Sequence, residues 1–360
     1  MKGPARLTID LNVFLQLEVA FRMKENGRDI VLLAHGDGGA LTHELVNNLF
    51  LRHFESNILK TLTDAAVFSV NEGRMAITTD SFVVDPPFFP GGDVGKLAVC
   101  GTVNDLAVSG ARPVYLTASF ILEEGLPLAD LESIVQSMAG ACGVAGVEIV
   151  TGDTKVVEKG HLDKIFINTT GVGYIFPGVD LGYHRIKPGD KVLVNGSLGQ
   201  HGIAVLCKRY GFDFAGQVMS DCAPLNGIIS LLLKEIRGIK IMRDLTRGGL
   251  ATTAKEIASA CGLDIWLDEN CIPVDAGVKG AAEMLGLDPL YLANEGKFMV
   301  IVTPEEAEKA VAVMQGHELG RDARIIGEVK PGKGNVYLST SLGGTKLLDL
   351  MAGSPLPRIC

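Results

Sequence analysis

Four aspartates stand beside the small and cationic residues that a phosphate site needs. They are Asp80 in Thr78-Thr79-Asp80-Ser81, Asp93 in Gly92-Asp93-Val94-Gly95-Lys96, Asp105 in Asn104-Asp105, and Asp153 in Thr151-Gly152-Asp153-Thr154-Lys155. Carboxylates on short loops are hard oxygen ligands that suit Mg2+, an ion that binds through a carboxylate or two plus phosphate oxygens. Lys96 and Lys155 would neutralise those phosphates. Taken singly, each aspartate reads as a cap or turn residue. Together they point to phosphoryl chemistry, with Asp80, Asp105 and Asp153 as candidate metal ligands.

The second half of the chain repeats the device in Arg243-Asp244-Leu-Thr246-Arg-Gly-Gly249, and Asn294-Glu295-Gly296 puts a carboxylate in a glycine turn. His35, in His35-Gly-Asp37-Gly-Gly39, offers a base or ligand, although a lone loop histidine is often only a hydrogen-bonding bystander. The chain ends Gly353-Ser-Pro-Leu-Pro-Arg-Ile-Cys360. Pro355 and Pro357 favour an extended path, so this end reads as a stiff spacer hinged at Gly353 that carries a terminal thiol. The plain alternative is a frayed terminus. A thiol beside its own α-carboxylate resists ionisation, which Arg358 partly offsets.

Composition narrows the classes. A chain of 360 residues, 47% hydrophobic, is long enough for two domains with buried cores. The net charge of −9 argues against a nucleic-acid or anionic-membrane surface, and an anionic ligand would need a cation to mediate. The 7 cysteines form no C-x-x-C pair, which predicts reduced thiols in a cytoplasmic protein. Scattered charges in residues 1–29 rule out a signal-peptide core or a membrane span there. The Walker pattern fails at Gly95-Lys96, because Leu97 replaces the hydroxyl, and no strand leads into G-x-G-x-x-G.

The elements that must position these residues follow from periodicity. Ala65 to Val70 and Arg74 to Thr79 predict a hairpin that delivers Asp80 at a strand end. A helix after Gly95-Lys96 turns Leu97, Val103, Leu106 and Ala107 inward. A strand, a helix from Leu128 to Gly143 and a strand Val147 to Val150 then lead to the Asp153 loop, followed by a strand from Lys164. Turn-rich Phe176 to Asp190 separates the halves. In the second half, strands are expected at Lys191 to Asn195, Asp264 to Leu267, Phe298 to Val302 and Arg324 to Val329. Helices are expected up to Tyr210, over Asn226 to Ile236 and from Pro304. The mixed order predicts an α+β fold.

In order, Asp80, Gly95-Lys96, Asn104-Asp105, Gly152 to Lys155 and Asp244 to Gly249 resemble the ATP-binding superfamily of aminoimidazole ribonucleotide synthetase and selenophosphate synthetase. The ending Pro357-Arg-Ile-Cys360, with His35 to Gly39, resembles the HypE family of hydrogenase maturation factors within it. The likeness spans Val31 to Cys360. It implies an N-terminal extension (1–30), an N-terminal ATP-binding and dimerisation domain (31–177), a C-terminal α/β domain (187–345) and a mobile tail (346–360). The N-terminal sheets would join across a homodimer. It further implies ATP and Mg2+, with nucleotide contacts from Lys96, Asn104, Gly152, Thr154, Asp244 and Thr246. The implied activity is ATP-dependent dehydration of a carboxamide on Cys360 to a thiocyanate, fed by the carbamoyltransferase HypF and emptied as cyanide onto iron on a HypC-HypD complex. Glu295 is the expected base, with His35 and Asp244 in reserve, and Lys155 holds phosphate. The alternative is a small-molecule kinase or a selenophosphate synthetase-like enzyme using the same nucleotide site. Asp37 stands where the family usually has serine, and residues 1–30 have no counterpart.

Overall fold

The computed structural model describes residues 24–25, 28–29, 39–50, 59–70, 73–212, 218–351 and 358–360. His35, Asp37 and the spacer 352–357 with its Gly353 hinge lie outside the described residues. The chain divides into two units, residues 1–55 with 350–357 and residues 56–349 with 358–360. In the first unit Lys24–Glu25 pairs antiparallel with Arg28–Asp29, and helix α1 (Ala40–Leu45) follows Gly39. The Ala40 N–H donates to the Met351 carbonyl.

The second unit begins with the hairpin of β1 (Ala66–Val70) and β2 (Gly73–Phe82). Along β2, Ala76, Thr78 and Phe82 are buried on one face, which the half-buried Asp80 shares. Ile77 and Thr79 point outward, the period of two that a one-sided strand dictates. With β3 (Ala111–Glu123), β4 (Glu148–Val157) and β5 (Ile165–Ile175), the sheet order is β1-β2-β5-β3-β4. Only the β3/β4 pair is parallel.

Helix α2 (Val94–Val108) is the spine of the unit. Asp93 caps it, its Oδ1 accepting from the Gly95 and Lys96 N–H groups at 2.7 and 3.0 Å. The helix is buried on nearly every side, so it carries no amphipathic stripe. One side lies on the sheet, where Thr102 and Thr169 share a hydrogen bond. The end with Ala107 and Val108 enters the core of the C-terminal half. At Gly95, a Cβ would fall 2.3 Å from the Ile134 carbonyl of α3 (Leu128–Ala145), so only glycine permits this close helix approach.

The C-terminal half is built on seven strands. They are β6 (Lys191–Val194), β7 (Ile239–Asp244), β8 (Asp264–Asp268), β9 (Phe298–Val302), β10 (Arg324–Lys330), β11 (Val336–Ser339) and β12 (Thr345–Leu348). Their order is β7-β9-β6-β10-β8-β11-β12. Its helices are α4 (Gln200–Tyr210), α5 (Asn226–Glu235), α6 (Gly249–Cys261), α7 (Ala276–Leu285) and α8 (Ala307–Gln315). The sheet is covered on both faces. On one, Val192, Val194 and Ile301 meet Leu250, Ala254 and Ile257 of α6. On the other, Leu193, Val300 and Val302 meet Ile228, Leu232 and Met314 of α5 and α8. Central strands buried on both sides read as unbroken apolar runs, as in Phe298-Met-Val-Ile-Val302. Each such side chain contributes about 1.5–3 kcal/mol.

Three expectations need correction. Thr151 to Lys155 is not a loop after a strand but the middle of β4, which runs to Val157. Asp105 is not on a short loop; it lies within α2, near its C-terminal end. The strands expected in the second half omit β7, which Arg243 and Asp244 end and whose apolar run Lys240 and Arg243 break.

Candidate functional site

The acidic residues converge where the two halves meet along α2. Asp64 precedes β1, Asp80 is on β2, Asp105 on α2, and Asp244 closes β7. Asp64, Asp105 and Asp244 bring carboxylate oxygens within 4.8 Å of one another. Neutral and cationic neighbours hold two of them. Thr78 Oγ1 donates to Asp105 at 2.8 Å, and Arg243 Nε lies 2.5 Å from Asp64. Arg243 is itself anchored by Glu256 and the Tyr183 hydroxyl, each at 3.1 Å.

Crowding shows in the acidities. Burial first, then the charges of Asp244, Asp64 and Asp80, push the Asp105 carboxyl well above the usual carboxylate range. Asp244 is pushed up to about 8 by burial and the neighbouring Asp64 charge, against the pull of Arg243. Burial also raises Asp64 and Asp80; Arg247 opposes the shift at Asp80. Carboxylates gathered this closely resist full ionisation without a cation. The donor set, three hard carboxylate oxygens, suits a divalent ion such as Mg2+.

Glu295 sits beside this cluster, in the turn before β9, and is 2% exposed. Its Oε1 has no hydrogen-bond partner among the described residues. Burial, with Asp244, Asp221 and Asp80, raises its pKa well above the usual range. The turn is fixed from behind. Asp221 accepts the N–H groups of Glu295 and Gly296, each at 3.2 Å, and pairs with Lys297 at 3.5 Å.

The chain terminus is docked at this place. Val83 N–H donates to the α-carboxylate of Cys360 at 3.3 Å and Asp85 N–H to the Arg358 carbonyl at 3.2 Å, so residues 358–360 run antiparallel along 83–85. The Arg358 guanidinium reaches Asp163 at 2.5 Å, and Ile359 is 3% exposed. Burial pushes the Cys360 thiol well up; Arg247 opposes the shift, while Glu295, Asp80 and Asp244 add to it. The thiol therefore lies within the electrostatic reach of the same acids.

The predicted site residues divide into groups. Asp80, Asp105, Asp244, Glu295 and Cys360 are brought together. Thr246 and Arg247 follow Asp244 into α6, where the chain needs two successive glycines, Gly248 at φ 78° and Gly249 at φ 59°. A Cβ on Gly249 would sit 2.6 Å from two carbonyl oxygens. Asn104 is fully used as a strut between the halves: its amide donates to the Ala223 and Glu295 carbonyls and accepts from Leu225 N–H. Lys96 Nζ donates to the Gly91 carbonyl at 3.0 Å. Gly152, Asp153, Thr154 and Lys155 stand exposed on β4, apart from the acidic cluster, with Asp153 and Lys155 paired at 2.7 Å. Sequence reasoning missed Asp64, Arg243 as an anchor, Asp221, His201 and Arg209.

Comparison with known proteins gives the family. The model of the AIR synthase related protein N-terminal domain matches residues 62–175, and that of the C-terminal domain residues 187–339. Carbamoyl dehydratase HypE of Cupriavidus necator is 49% identical over 330 residues, covering 91% of this chain and 94% of that protein. A crystal structure of HypE in complex with ATP superposes with a TM-score of 0.78 at 49% identity, covering 92% of this chain and 100% of that one. HypE in a HypE-HypF complex gives 0.81 at 48%, covering 85% and 99%. The chain belongs to the HypE family of carbamoyl dehydratases, within the AIR synthase related fold.

Proposed function

We infer that the chain uses ATP to dehydrate an S-carboxamide carried on Cys360, giving a thiocyanate that supplies the cyanide ligand of a [NiFe]-hydrogenase iron centre. The observation that carries this reading is the docked terminus: residues 358–360 pair with 83–85, and the buried Cys360 thiol feels the charges of Arg247, Glu295, Asp80 and Asp244. Family membership supports it independently.

An amide oxygen is a poor leaving group, and ATP when bound supplies the phosphoryl group that converts it to a phosphate. This chain's own residues do the rest. Pairing of 358–360 with 83–85 fixes the thiocarbamate and turns its attack on the nucleotide into a local event. Asp64, Asp105 and Asp244 would hold Mg2+, and Asp80 and Arg247 would tune the charge around it. Glu295 is placed to take the nitrogen protons that must leave before the C≡N bond is complete; its raised pKa makes its carboxylate form a strong base. The docked thiol is held protonated, so loading belongs to a state in which the tail has left the site.

The proposal extends to partners. HypF is the carbamoyl donor, in line with the HypE-HypF complex of a relative, and HypC-HypD accepts the cyanide. Two copies would join through the N-terminal sheets, since β4 is a sheet edge with Val150 and Val156 exposed. That arrangement would bring Gly152, Asp153, Thr154 and Lys155 to the interface, with Lys155 and Lys96 serving phosphate oxygens. The seven free thiols fit a reducing cytoplasm.

Intact-mass measurement after incubation with HypF, carbamoyl phosphate and ATP tests the reading. The expected record is gain of a carboxamide followed by loss of one water. Cys360→Ala abolishes both steps while ATP binding survives; product formation by that variant would refute the assignment.

A further inference from the structure

His201 has no role in the chemistry above, yet it is completely buried and both its ring nitrogens are engaged. It stands in the first turn of α4. Its Nε2 lies 2.8 Å from the Ile359 carbonyl oxygen and its Nδ1 lies 2.8 Å from Ser220 Oγ. A carbonyl can only accept, so Nε2 carries the proton. Burial disfavours the charged ring, so Nδ1 is bare and accepts from the Ser220 hydroxyl. Ser220 Oγ in turn accepts the Cys222 N–H at 3.1 Å. The ring is held edge-on by Phe89, 5.2 Å between centroids.

The loop that Ser220 belongs to is the same one whose Asp221 accepts the Glu295 and Gly296 N–H groups. A continuous path of hydrogen bonds and covalent chain therefore runs from the Ile359 carbonyl, one residue before the reacting cysteine, through His201 and Ser220 to the turn that carries Glu295. Gly296 is packed so tightly against this loop that a Cβ would lie 2.0 Å from the Asp221 carbonyl. From the side, Arg209 of the same α4 helix binds the Asp85 carbonyl at 2.7 Å and the Arg358 carbonyl at 2.6 Å.

We propose that His201 is a positioning residue: it clasps the docked terminus at Ile359 and, through Ser220, sets the thiocarbamate on Cys360 in register with Glu295. The claim about the dehydration step rests on the proposed function, but the clasp itself does not. Two readouts keep these apart. The first is the alkylation rate of Cys360 by iodoacetamide in the full-length protein, resolved by peptide mass mapping from the other thiols. His201→Leu fills the space without donating and is expected to speed Cys360 alkylation roughly tenfold, the effect of one buried hydrogen bond on the docking equilibrium. His201→Gln keeps a donor at the Nε2 position and is expected to return the rate to within about threefold of the parent.

The second readout is single-turnover dehydration of carboxamide-loaded protein at saturating ATP. His201→Leu slows it about tenfold with ATP affinity and pH profile unchanged, and His201→Gln rescues it. Should His201→Leu not fold, Ser220→Ala takes its place, with the same direction and a several-fold effect. Alkylation rates that do not differ between the parent, His201→Leu and Ser220→Ala overturn the clasp. Faster alkylation of a protein that never dehydrates its tail leaves the clasp standing and removes the proposed function instead.

Discussion

Two sets of charged residues in this molecule contrast sharply. Asp64, Asp80, Asp105, Asp244 and Glu295 are gathered between the halves, and burial raises every one of their pKa values. Asp153 stands in solvent on β4, and its pKa is lowered by the hydrogen bond from Lys155 and the Thr154 N–H. The first set is electrostatically incomplete within one chain. The second is satisfied as it stands. Crowded buried carboxylates store a demand for cation and proton, which is what phosphoryl transfer and deprotonation use. An exposed ion pair stores almost nothing, so any role for it must come from a surface that later covers it.

Glu295→Gln is the strongest way to break the contrast. It removes the proton acceptor from the buried set and keeps the shape, so thiocyanate formation is expected to fall by about 100-fold or more. Nucleotide binding should stay near that of the parent. A variant that still dehydrates at the parental rate would make the orphaned Oε1 irrelevant to the reaction.

Lys155→Ala probes the exposed set, with a smaller loss of roughly tenfold or more if it serves phosphate from across an interface. Thermal stability should not move, because the exposed Lys155 amine is paired with Asp153 on the open face of β4. Mixing Lys155→Ala chains with Cys360→Ala chains sharpens the test. Each mixed dimer would own one site with both an intact Lys155 and an intact Cys360, so activity should return. A mixture as inactive as its parts would return Lys155 to its own chain or to no role.

How much of this was legible in the sequence depended on whether a residue's neighbours along the chain reveal its job. The apolar runs of β6 and β9 and the capped start of α2 were readable because local patterning dictates them. Asp80, Asp105, Asp244 and Glu295 were readable as carboxylates set among small polar residues. Gly152 misled: a glycine amid polar residues signals a loop, but here it lets β4 approach β3, a Cβ falling 2.0 Å from the Ala118 carbonyl. The register of that strand pair shifts just before, between Leu116 and Thr117. Asp64 and His201 were not legible as site residues. Their partners lie 180 and 158 positions away, by subtraction from Asp244 and Ile359, and no local spacing encodes such pairings. Asn104 was legible as important and misleading as to why, since a buried amide serves a backbone strut as readily as a ligand.

The smallest effect, and the one with a definite sign, concerns pH. The Asp244 carboxyl is held at about 8 in the folded chain, against an ordinary carboxylate value near 4 when unfolded, and Asp64, Asp80 and Asp105 shift the same way. Between those values the folded state binds more protons than the unfolded one. Stability of the metal-free protein is therefore fully present below about pH 4 as far as these groups are concerned, and is lost as pH rises toward 8. Mg2+ favours the ionised carboxylates, so it should flatten the slope and add stability by binding only the folded state. Asp244→Asn should leave the metal-free protein more stable than the parent near pH 8 by about 1–3 kcal/mol, with a shallower slope and a weaker response to Mg2+. Asp153→Asn should change none of these, because solvent and Lys155 already satisfy that carboxylate. Thermal melts from about pH 5 to 8.5, with and without Mg2+, read all three; equal slopes for the parent and Asp244→Asn would show that the buried acids are not the incomplete set described above.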